Sequence, residues 1–161
     1  MSVNKRKPHV LVPEDDANSD LANGFLRDNS LLTQNVRVLR PARGWSRVLD
    51  SFLTDHVAEM ERYSDRSMVL LIDFDGDSGR LSHVKAQIPV HLSHRVYILG
   101  ALKEPIDLTK AGLGSYETIG SELARECREE TYKTWSHDLL RHNAGELDRL
   151  RERVRPILFA S

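Results

Sequence analysis

The most constraining feature of this chain is an unbroken apolar run, Met68, Val69, Leu70, Leu71 and Ile72, that passes directly into Asp73, Phe74, Asp75, Gly76 and Asp77. A strand with one wet face alternates apolar and polar residues. A run without alternation has both faces covered, as in the centre of a parallel sheet. The run is also far too short to span a bilayer. The pattern therefore predicts a central strand over 68–74 that ends in acids.

Other segments supply neighbours for it. Residues 9–13 read as a short buried strand closed by Pro13, residues 36–39 as a second strand stopped near Pro41, and residues 95–99 as a fourth. Between them lie amphipathic stretches. Leu21, Phe25 and Leu26 form a stripe that Asp16 or Asn18 can cap. Trp45, Val48, Leu49, Phe52, Leu53, Val57 and Met60 recur at spacings of three and four, which is a helix with an apolar face. A further helix is expected between Gly79 and Ile88. After Pro105, the spacing of Ile119, Leu123 and Cys127 predicts a helix over 116–131. Asn143 with Glu146 resembles a capping box ahead of Leu147, Leu150 and Val154.

Strands alternating with helices imply βαβ units with right-handed crossovers. The expected fold is α/β: a Rossmann-like, mainly parallel sheet of about four strands flanked by helices, with a helical C-terminal extension. The whole chain, 1–161, is expected to be one domain, with its α/β core over 8–105 and the helical extension over 106–161. A length of 161 residues, with 40% hydrophobic and 29% charged residues, leaves room for one real core and hardly two.

Composition also excludes some chemistry. One cysteine, Cys127, rules out an intrachain disulfide and a thiolate zinc cage, and is expected buried on a helix. The histidines show no His-x-x-x-His pair, so zinc is not expected. Residues 8–12, which follow Lys5, Arg6 and Lys7, are no signal-peptide core. A cytoplasmic protein with no membrane partner is expected. The net charge of −1 does not mark a bulk nucleic-acid binder. Two arginine clusters stand out locally: Arg37, Arg40, Arg43 and Arg47, and then Arg141, Arg149, Arg151, Arg153 and Arg155. Each is either a solvated face or a set of phosphate contacts.

In open parallel sheets ligands bind beyond the carboxyl ends of the strands, which is where Asp73, Asp75 and Asp77 fall. Glu14 holds the matching place after the first strand. Neighbouring parallel strands would bring it close to Asp73 and Asp75. Carboxylates so close do not all ionise without a cation, and Mg²⁺ favours such oxygen ligands. Gly76 permits the turn that would return Asp77 to the site. In the plainer alternative, Asp16 and Asp77 only cap helices. Two look-alikes fit poorly. The opening motif of haloacid-dehalogenase-type phosphatases follows the first strand and usually carries Thr after its Gly, whereas here two strands precede it and Asp77 follows. A calcium loop of the EF-hand type would need Glu where Val84 stands.

Glu14 after the first strand, with Asp73-x-Asp75 after a later one, resembles the TOPRIM domain of topoisomerases, bacterial primases, recombination-repair proteins and overcoming-lysogenization-defect nucleases. The resemblance covers about residues 8–105. Asp15 departs from it, standing where the family often has Gly. It implies Mg²⁺- or Mn²⁺-dependent phosphodiester chemistry. Glu14, Asp73 and Asp75 would be the catalytic and metal-binding acids, with Asp77 extending the metal set. Cleavage by metal-bound water is the expected form, since nothing marks Tyr63, Tyr97, Tyr116 or Tyr132 as a nucleophile. Arg40, Arg43 and Arg47 are the candidate nucleic-acid contacts, and Lys103 and Glu104 are candidates to line the same edge. The rival expectation is a non-catalytic module of this type that binds a partner protein, its acids structural or vestigial.

Overall fold

In a computed structural model that describes residues 8–160, the four apolar segments form one all-parallel sheet. The strands are β1 (His9–Pro13), β2 (Val36–Val38), β3 (Ser67–Leu71) and β4 (Val96–Leu99), in the order β2-β1-β3-β4. His9 lies opposite both Val36 and Ser67, and Met68 lies opposite Val96. The central run is therefore inside the sheet, as its lack of alternation requires.

Successive strand residues point to opposite faces. Val10, Val12, Met68, Leu70, Val96 and Ile98 face one helical layer, made of α2 (Trp45–Ser51), α3 (Val57–Arg62) and α4 (Arg80–Gln87). Leu11, Val69, Leu71, Tyr97 and Leu99 face the other, made chiefly of α1 (Asp16–Phe25), α6 (Tyr116–Glu129) and α7 (Ala144–Arg153). Two shorter helices, α5 (Pro105–Lys110) and α8 (Arg155–Leu158), complete the chain. The expected helical C-terminal extension is present, and its α6 and α7 pack on the sheet as part of its cover. Right-handed crossovers explain the two layers. The chain leaves β1 outward to β2 and then returns past β1 to β3, so helices on the two legs fall on opposite faces.

The long helix expected after residue 45 is interrupted. Residues Phe52–His56 form a π-helical turn between α2 and α3. One extra residue in that turn rotates Met60 onto the face of Phe52. Both are fully buried, while Leu53 is turned outward. The expected capping box at Asn143 does not form. Its side chain instead accepts from the Gly100 amide and donates to the Gly100 carbonyl. Glu146 is buried, accepting from the Ile98 amide, Lys85 and Arg149.

Much of the C-terminal arginine cluster proves to be internal stitching. Arg151 donates to the carbonyls of Glu126 and Thr131, and Arg155 to that of Arg128, closing the end of α6. Cys127 is buried, as expected. Among the described residues no helix is long and apolar enough to cross a membrane.

Candidate functional site

The order β2-β1-β3-β4 places a topological switch point between β1 and β3. There the connections diverge and leave a crevice beyond the strand ends. Glu14 and Asp73 stand at that crevice. The backbone pins Glu14 from both sides: its amide donates to the Leu71 carbonyl at 2.9 Å, and its carbonyl accepts from the Arg43 amide at 2.8 Å. Its carboxylate then turns across the gap, and Oε2 accepts from the Asp73 amide at 2.5 Å.

The loop after β3 is held by the segment after β4. The amides of Ile72, Phe74 and Gly76 donate to the carbonyls of Leu99, Ala101 and Leu102. This close approach depends on Gly100, at φ +157, where a Cβ would lie 1.6 Å from the Ile72 carbonyl oxygen. Asp75 (φ +49) and Gly76 (φ +73) then both take the left-handed conformation. An aspartate tolerates this region better than most residues, and such a backbone is over-represented at functional sites.

Asp73 is buried and Asp75 exposed. Asp73 Oδ1 accepts from Asn18 Nδ2 at 3.0 Å, and the same amide group reaches Asp15 Oδ1 at 3.1 Å. Asp15, not Asp16, caps α1, accepting from the Asn18 amide. Asp75 Oδ2 pairs with Arg80 Nη1 at 2.7 Å, and the same nitrogen donates to the Asp73 carbonyl at 2.8 Å. The Arg80 guanidinium lies 4.6 Å from the ring centre of Trp45.

Burial pushes the Asp73 carboxyl up to about 7; the Asn18 hydrogen bond opposes this, and the charges of Glu14, Asp15 and Asp75 add to it. Glu14 is raised as well, first by burial. The Asp73 amide and Arg80 act against that rise, and Asp15 and Asp75 with it.

The other expected residues fall around this centre. Asp77 Oδ1 accepts from the Gly79 amide at 2.8 Å, so its carboxylate shapes the entry to α4. Arg40, Arg43 and Arg47 are all exposed. Arg43, at φ +71, pairs with Asp16 at 3.2 Å. Lys103 meets the acidic loop through its backbone, its carbonyl lying 3.4 Å from the Asp75 amide. Glu104 begins α5, its amide donating to Asp107. Asn18, Arg80 and Trp45 were not expected here. Asn18 carries the signature of a cap and Trp45 that of a core stripe. Arg80 shows no signal beyond its place just after the acids.

Oxygen donors on Glu14, Asp73 and Asp75 suit a hard divalent cation by chemistry. One oxygen of each carboxylate accepts a hydrogen bond, and among the described residues the second accepts none. The acids are not drawn into a cage. Among the described residues no group of three or more His, Cys, Asp or Glu side chains is arranged to hold an ion. Compared with known proteins, the chain matches no family model, no curated protein and no solved structure.

Proposed function

We propose that this chain is a TOPRIM-like, Mg²⁺- or Mn²⁺-dependent, nuclease-like protein acting on phosphodiester bonds of nucleic acid in the cytoplasm. The observation that supports this reading best is the pair Glu14 and Asp73 at the β1/β3 switch point. Both carboxyls are raised, first by burial and then by the charges of Asp15 and Asp75, with Glu14 adding to the rise at Asp73. An acid group at about 7 is in the range where a carboxyl can take or release a proton at neutral pH. The same crowding would be relieved by a cation.

Glu14, Asp73 and Asp75 would hold the ion only after moving together, since among the described residues they are not arranged to hold one and Asp75 is paired with Arg80. A bound divalent ion would supply charge neutralisation to the phosphate under attack. Asn18 keeps Asp73 oriented by donating to one of its oxygens. Asp77, which accepts from the Gly79 amide, would extend the metal set only by giving up that turn. Arg40, Arg43 and Arg47 follow β2 to the same edge of the sheet and are exposed, so they can meet a phosphate backbone that the acids alone would repel. Lys103 and Glu104 flank the acidic loop.

The test is cleavage of single- and double-stranded DNA and RNA in Mg²⁺ or Mn²⁺. Asp73→Asn should lower the rate by about a hundredfold or more, as expected when a metal ligand is removed. Cleavage that survives in Asp73→Asn would end this reading. The pairing of Asp75 with Arg80 favours a second one, in which the acids serve structure and the chain binds a partner protein. That reading gains if no cleavage and no nucleic-acid binding is seen at low salt.

A further inference from the structure

A helical layer that fully covers a sheet leaves no surface on the middle of an inner strand. Leu11 lies midway along the inner strand β1, and Leu71 ends its inner neighbour β3, yet both are only half-buried. They line a cavity of about 90 Å³ between the sheet and the layer of α1, α6 and α7. Val69 completes its floor, and Leu21, Leu123 and Leu147 close it, one from each helix. Voids in protein interiors seldom exceed one water, whose share of the liquid is about 30 Å³, so this space is larger than ordinary packing leaves. It is also long. The lining runs from His9, opposite Ser67, to Leu71, which spans the five residues of β3. At the rise of a strand that is about 13 Å. So small a volume over that length admits a chain, not a fused ring.

One end of the cavity is polar. His9 is 2% exposed, and its Nδ1 has no partner among the described residues. Ser67, paired with it across the sheet on the same face, also keeps a buried Oγ without a partner among them. Buried polar atoms are almost always answered, so two unanswered ones at one level of the sheet call for a polar group from outside the chain. A hydroxyl suits His9 in either tautomer, because it both donates and accepts. A carboxylate does not. Burial lowers the His9 ring to about 3, so at neutral pH it offers no counter-charge, and an unpaired anion in an apolar cavity is costly. We propose that this cavity binds an uncharged, straight-chain aliphatic alcohol, its chain along Leu11, Val69 and Leu71 and its hydroxyl on His9 Nδ1, independently of any chemistry at the acids.

Isothermal titration with straight-chain alcohols from butanol to octanol tests this. Affinity should rise about fourfold per methylene until the chain outgrows the cavity. Hexanoate at pH 7 should bind at least about tenfold more weakly than hexanol. His9→Leu should weaken hexanol binding by about five- to tenfold, the worth of one hydrogen bond. Leu11→Phe, which fills the space beside a half-buried position, should abolish it. Trp135 lines the cavity and Trp45 packs on the other face of the sheet, so in wild type the indole N–H resonance of Trp135 alone should move as hexanol binds.

No saturable binding of any of these alcohols overturns the proposal. So does hexanoate that binds as tightly as hexanol, or hexanol binding that is undiminished in His9→Leu or Leu11→Phe. Should both variants fail to fold, the wild-type indole resonances decide. Binding that moves Trp45, or leaves Trp135 where it was, puts the alcohol elsewhere and overturns the proposal.

Discussion

At the scale of single residues, Asp73 brings the sharpest consequence. Its carboxyl stands at about 7 in the folded chain against an ordinary 3.8. Between those values the folded protein keeps a proton that the unfolded chain releases. This group therefore adds stability below about pH 4, and loses it as pH rises through about 7. Asp73→Asn lacks that loss. In the absence of metal, the variant should gain on wild type as pH rises from 4 to 8, by roughly 1–3 kcal/mol at the upper end. His9 acts in the opposite sense, since burial lowers it from 6.5 to about 3, so its contribution is lost as pH falls. It is present in both proteins and cancels in the difference. Denaturant melts at several pH values check this, and a difference that stays flat between pH 4 and 8 would contradict it.

At the scale of elements, the crossing of α1 and α6 decides how closely the helical tail can cover the sheet. Gly24 and Gly120 meet there. A Cβ on Gly120 would stand 2.1 Å from the Leu21 carbonyl oxygen, and one on Gly24 would stand 2.4 Å from that of Glu117. Both obstacles are backbone, so a helix must move to make room. Gly120→Ala should destabilise the fold by about 1–3 kcal/mol despite the better helix propensity of alanine. Urea unfolding gives the value, and an unchanged midpoint would show that the crossing is looser than these distances. Gly145→Ala is the control, because a Cβ there meets nothing within 4 Å.

At the scale of the whole molecule, charge is segregated along one edge of the sheet. The acids occupy the crevice, and Arg40, Arg43 and Arg47 lie exposed on the segment after β2. The net charge of −1 offers no general attraction for a phosphate backbone, so affinity must come from such local contacts. Binding of nucleic acid should weaken steeply with salt. In an Arg43→Ala, Arg47→Ala double variant, the slope of log affinity against log salt should fall by about one or two. The salt series is run in EDTA, so cleavage does not interfere. An unchanged slope would remove these arginines from the interface.

The sheet was legible because a parallel core strand needs cover on both faces, and residues 68–72 carry that requirement in their composition. Glu14 and Asp73 were legible for a related reason: an acid directly after a buried strand has one place to go, the carboxyl edge. Element ends were less so. The strand expected over 68–74 stops at Leu71, where the hydrogen bonds continue as a loop held by Gly100. Asn18 could be read only as a cap, because its bond to Asp73 spans 55 residues and depends on how α1 leaves β1. Asn143 and Glu146 have the spacing of a capping box, yet Gly100 just after β4 takes the first side chain, and Ile98 on β4 and Lys85 on α4 take the second. The π turn is set by the demand of the core for Met60 beside Phe52. Arg80 is the clearest case. Sequence alone determined that an arginine begins the helix after the acids, but Asp75, the Asp73 carbonyl and the face of Trp45 converge on it only once the layers pack. Local pattern fixes what each segment must bury, whereas the choice of partner for a polar side chain is made by whichever groups the tertiary fold brings within hydrogen-bond reach.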